Sequence, residues 1–211
     1  MWRLFRSEPK NPAVAALNRH RRQFDGIIRL LPKLSQTFEQ GGDYLYDRGI
    51  REVLCEYDAR AGSEIAAQID KAKKAALQDE IFALMLYAFH RVCAARYPES
   101  PAFAAGLTDA LHFEMYRRLP TADAGAAVYL SYRNPHFEDP TMAYAFRFGQ
   151  RVGAIMATLD TPFLLMFAQH APLIVETAEK LTRFVLFNEP IAAAPTTDGS
   201  DSHLKMTRGA P

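Results

Sequence analysis

The chain has 211 residues, 49% of them hydrophobic and 23% charged, a balance that excludes wholesale disorder and suits one globular domain with a sizeable core. Two cysteines, Cys55 and Cys93, are too few for a disulfide scaffold and lack metal-ligand spacing, so reduced thiols in a cytoplasmic compartment are expected. Net charge is only +1, which excludes a uniformly basic nucleic-acid binder, but the charge is unevenly spread.

Residues 1–33 hold eight basic side chains against Glu8 and Asp25, a net of +6 that leaves −5 for the rest of the chain. A basic head on a mildly acidic body points to an acidic partner for the head, with Arg3, Arg6, Arg19, Arg22 and Arg29 as the contact residues. The opening MWRLFR alternates large apolar residues with arginines, as interfacial anchors do, which favours an anionic membrane surface. Nucleic acid is the less favoured partner. Arg19, Arg22 and Arg29 suit phosphate contact, but no helix-turn-helix, zinc-finger spacing or aromatic-basic RNA signature accompanies them. MWRLFRSEPKNP has no apolar core followed by a cleavage site, so no secretory signal is expected.

After this basic segment (1–10), a helix is predicted from Asn11-Pro12, where a capping side chain precedes a proline that needs no donor. Its apolar stripe is Val14, Leu17, Phe24, Ile28 and Leu31. Gly41-Gly42 reads as a stop, followed by helices near 44–60 and 63–97, the first ending at Gly62 and the second at Pro98, with a break in the second expected around Lys71–Lys74. The run IFALMLYAF (81–89) is apolar on every side and marks a central, surrounded helix. His90 follows it with Tyr87 and Cys93 three residues away on either side, the setting of a satisfied core histidine.

Ser100-Pro101 starts a helix over 101–119 whose spacing sets Thr108, Asp109, His112 and Tyr116 on one face. Asp109 there is placed to orient the His112 imidazole. After Pro120, a helix from Thr121 closes on Tyr129 and Tyr132, and YLSYRNPHFEDP (129–140) then connects to the next start at Asp139-Pro140. Stop and cap duties explain much of that stretch and leave Arg133, His136 and Glu138 as candidates for chemistry. In the following helix Ala145, Gly149, Gly153 and Ala157 form a ridge of small residues four apart. Interior glycines cost about 1 kcal/mol each against alanine, so close approach is expected, inside the fold, at a subunit interface or against a ligand pressed on the ridge. Thr161-Pro162 starts the last helix, in which Pro172, near His170, is expected to cause a kink. The apolar stretch 152–175 is interrupted by Asp160, two prolines, Gln169 and His170 and does not suit a bilayer span. Pro190 ends the order; residues 192–211, small and polar, are expected to be a disordered tail.

No stretch alternates convincingly at period two, so the fold class is all-α: one helical bundle of about seven helices over 11–191. No Gly-rich phosphate loop, nucleophile elbow or two-histidine metal helix is present, and no cofactor or metal is implied. The leading functional expectation is a non-enzymatic interaction or regulatory protein, cytoplasmic and peripheral to a membrane through its head, its partner another protein or a second copy. One alternative is a helical binder of a small apolar ligand held by segments 81–89 and 163–167. The other is an enzyme or metal protein using Asp109, His112, Tyr116, Arg133, His136 and Glu138.

Overall fold

The computed structural model describes residues 22, 24–116, 132, 140–158 and 160–191, and among these every regular element is helical. Residues 24–28 are helical and are followed by α1 (Leu31–Leu45), a π-helical segment (Tyr46–Arg51) and α2 (Glu52–Ala61), which run on without a break. A short 3₁₀ turn (Ala66–Gln68) precedes α3 (Lys71–Arg96), α4 (Pro101–Tyr116), α5 (Pro140–Ile155) and α6 (Thr161–Phe187). The basic segment 1–10 and the tail 192–211 lie outside the described residues.

Helix α3 is the axis, touching α1, α4, α5 and α6. From Glu80 to His90 every residue is buried except Phe82, which is half-buried, as an all-round apolar run requires. Paired side chains give the directions. Asp43–Gln78 and Gly42–Phe82 make α1 antiparallel to α3, and Glu80–Arg151 with Tyr87–Tyr144 makes α5 antiparallel too. Arg91–Glu179 and Arg96–Glu189 set α6 parallel to α3.

Several boundaries differ from the sequence reading, each for a local reason. Gly41-Gly42 is no stop: the helix passes through, and the pair admits a neighbour. A Cβ on Gly42 would sit 2.3 Å from the Phe82 ring, and one on Gly41 would touch Leu181 and Met85. The first stripe breaks after residue 28 because Pro32 opens a new helix at Leu31; Ile27 is buried while Ile28 stays 38% exposed. The helix expected from residue 63 begins at Lys71, where the Asp70 carboxylate accepts from the Lys73 N–H at 2.8 Å. Asp58 holds the intervening turn by accepting from the Ile65 and Ala66 amides at 2.9 and 2.7 Å. Helix α6 is capped by Asp160, one residue before the expected Thr161, and Asp160 also accepts from the Tyr57 hydroxyl at 2.7 Å.

The stops at Gly62 and near Pro98 stand where the composition places them. Gly62 adopts φ +66°, a left-handed cap that glycine takes without steric cost. Helix α6 runs through Pro172. Among the described residues no helix is long and apolar enough to cross a membrane.

Candidate functional site

The four candidates on α4 fall among the described residues. Thr108 and His112 are fully buried, Tyr116 is half-buried with its ring 4.7 Å from the His112 ring, and Asp109 stands at the surface. Arg133, His136 and Glu138 lie outside the described residues, as do Arg3, Arg6 and Arg19; Arg22 and Arg29 are exposed. Among the described residues no three His, Cys, Asp or Glu side chains are grouped to hold a metal.

His90 faces Thr108 across the α3–α4 contact, Nδ1 to Oγ1 at 3.1 Å, while the Thr108 hydroxyl donates to the Ala104 carbonyl at 2.9 Å. This is a core histidine with its partner. Cys93, one turn on, is buried and free, and burial pushes its thiol up to about 12, which leaves it unreactive at neutral pH. Cys55 is free and exposed.

In the small-residue ridge, Gly149 and Gly153 meet α6 of the same chain. A Cβ on Gly149 would stand 2.3 Å from the Leu164 carbonyl oxygen, and one on Gly153 would stand 2.4 Å from Leu164 Cδ2. Ala145 is buried beside them, while Ala157 lies beyond the helix end, exposed, at φ +55°. Of the three settings open to the ridge, the two glycines occupy an intramolecular crossing.

Among the described residues the densest buried polar grouping joins α3, α5 and Tyr132. Glu80 is only 5% exposed and Tyr132 only 1%. The Tyr132 hydroxyl donates to Glu80 Oε1, and Arg151 Nη1 stands 3.4 Å from Oε2. Burial raises the Glu80 carboxyl above its ordinary range, while the Tyr132 hydroxyl and the Arg151 guanidinium pull the other way. Tyr132 is held well above an ordinary phenol, first by burial and then by the neighbouring carboxylate.

From Tyr132 the grouping continues as a file of rings, Tyr132 to Tyr87 at 5.8 Å and Tyr87 to Tyr144 at 5.6 Å. Arg91 closes its far end, 5.9 and 5.8 Å from the Tyr87 and Tyr144 centroids and 3.4 Å from Glu179. Chemically the grouping can hold a proton at Glu80 and tie α3 to α5. Both carboxylate oxygens face donors of the same chain.

Sequence reasoning missed Glu80, although its neighbours at three before, four after and seven after are Leu77, Leu84 and Tyr87. A carboxylate inside an apolar stripe is the signal that could have found it. Tyr132, read as a helix end, stands in a turn.

In the segments proposed to hold an apolar ligand, Met85, Phe89, Phe163 and Phe167 are fully buried, with the last two rings 4.8 Å apart. No family model, no curated protein and no solved structure matches the chain.

Proposed function

We propose that this chain is a non-enzymatic interaction or regulatory protein of the cytoplasm that docks another polypeptide on the outer face of α6. What carries the reading is where large apolar side chains face solvent. Of the eight exposed ones among the described residues, Leu165, Leu173 and Phe184 lie on α6 and Ile191 just beyond it, each 46–53% exposed. At 100° per residue, Leu173 and Phe184 point within about 20° of each other. Glu176, Lys180 and Arg183 flank them, the mixture of apolar anchor and charged rim that transient interfaces use. The enzyme reading has less support, because on α4 His112 is enclosed in the core while Asp109 stands at the surface.

Lys180 stands between the anchors and reports on the site. Amine-reactive crosslinking of the tagged full chain in its own cell extract is expected to join Lys180 to one recurrent polypeptide, or to a second copy. A Leu173→Glu, Phe184→Glu double variant of unchanged helicity should reduce that product by about tenfold or more. Equal yields from both proteins would sink the docking face.

The head supports a second contact, with an anionic membrane. The full chain is expected to sediment with phosphatidylserine vesicles at low salt and to be released as salt rises. Trp2→Ala with Phe5→Ala should abolish binding, since the apolar area is what a membrane adds to charge. Binding that survives the double change but answers to Arg19, Arg22 and Arg29 would transfer the head to nucleic acid.

A further inference from the structure

Where the parallel helices α3 and α6 finish, their last turns border a cavity of about 140 Å³ lined by Val92, Ala95, Arg96, Arg183, Phe187 and Glu189. Glu189 reaches it through a chain reversal. Asn188 adopts φ +54° and the Glu189 N–H returns to the Arg183 carbonyl at 3.2 Å, which closes α6 and aims the next side chain back along it. The Glu189 carboxylate then lies between two guanidiniums, 3.7 Å from Arg96 Nη1 and 3.8 Å from Arg183 Nη1. Charge-assisted hydrogen bonds run at about 2.7–2.9 Å, so this is a shared electrostatic contact and not a two-point clasp. With side chains 39–57% exposed, such pairs hold weakly.

Two cations share one anion here. The Arg96 guanidinium also lies over the Phe187 ring at 5.1 Å, and Val92 and Ala95 supply an apolar wall. The negative ends of two helices oppose an incoming anion. The Cys93 and Arg183 carbonyls at those ends are already engaged by the Tyr97 and Glu189 amides.

We propose that this is a binding site for a small organic carboxylate with a short apolar body, and that Glu189 is a resident carboxylate which the ligand displaces. The ligand's two oxygens meet Arg96 and Arg183 while its body rests on Val92, Ala95 and Phe187. This goes beyond the docking reading and stands or falls without it.

The test is a titration of the ¹⁵N-labelled full chain with sodium benzoate at constant ionic strength, with acetate as the carboxylate that lacks a body. The readout is the Nε–Hε signals of Arg96 and Arg183. Benzoate is expected to shift both saturably, and acetate to act more weakly. Arg96→Gln or Arg183→Gln should weaken benzoate by about tenfold, the loss of a charged hydrogen-bonding partner. Glu189→Gln, which removes the competitor and leaves both cations, should tighten it by about threefold or more. The proposal is overturned if benzoate gives no saturable shift in Glu189→Gln, if that variant binds no more tightly, or if acetate matches benzoate.

Discussion

Gly149→Leu is expected to lower Tm by roughly 6–12 °C, the equivalent of about 3 kcal/mol in a domain of this size. A substituent there meets the Leu164 carbonyl oxygen at 2.3 Å and the Ala168 nitrogen at 3.4 Å, both backbone atoms of a helix that cannot rotate aside. Even Gly149→Ala should destabilise, although alanine forms helix better than glycine. Gly106 in α4 supplies the contrast: a Cβ there has nothing within 4 Å, so Gly106→Ala should stabilise by about 1 kcal/mol. Thermal melts of the three variants decide the matter. If Gly149→Ala behaves like Gly106→Ala, α5 and α6 do not cross here. A Gly149 variant that stays folded but changes from dimer to monomer would place the ridge at a subunit contact.

The second large effect concerns the proton on Glu80. Burial raises its carboxyl above the ordinary 4.5. The folded chain therefore keeps a proton at pH values where the unfolded chain has released it. Stability falls as pH rises from about 4.5 through the folded value, and levels off above it. Glu80→Gln still offers a carbonyl to Tyr132 and cannot titrate, so it should lose this slope and gain on the wild type as pH rises through the window. Tyr132→Phe should do the reverse. It removes the donor that favours the anion, steepens the slope and costs about 1–3 kcal/mol at neutral pH. Parallel melting curves for all three proteins between about pH 4 and 8 would show that the Glu80 carboxyl titrates alike in the folded and unfolded chain, and would overturn this account.

These two sites were legible to different degrees. The glycine ridge was plain, because two glycines inside a helical run violate propensity and demand a reason. The partner helix was not, since nothing in AYAFRFGQRVGAIMA names Leu164. Caps and prolines located the starts of α4, α5 and α6 to within a residue, because their chemistry is local. Gly41-Gly42 misled for the same cause: local propensity reads a glycine pair as a stop, and only the Phe82 ring, forty residues on, explains it as a recess. Ile27 and Ile28 show the limit of periodicity, since a stripe carried on to Leu31, where a new helix starts, picks the wrong neighbour. His112 and Asp109 share a helix face by spacing, yet one is enclosed and the other exposed, which is decided by packing that spacing cannot supply.

The π-helical segment between α1 and α2 holds a spare residue. Counted at 100° per residue along an unbroken α-helix, Val53, Leu54 and Tyr57 would point roughly a quarter turn away from Leu31, Phe38 and Gly42. Yet Val53 and Leu54 are buried, and Tyr57 packs its ring edge-on to Phe163 at 5.1 Å. Taking one residue out of the count brings the two sets back into phase, and the wider turn at Tyr46–Arg51 has that effect by absorbing one residue. A single-residue deletion within that turn can therefore be taken up as ordinary α-helix with both inward faces kept. The same deletion within α3 would rotate everything beyond it by about 100° and turn the core of the bundle outward.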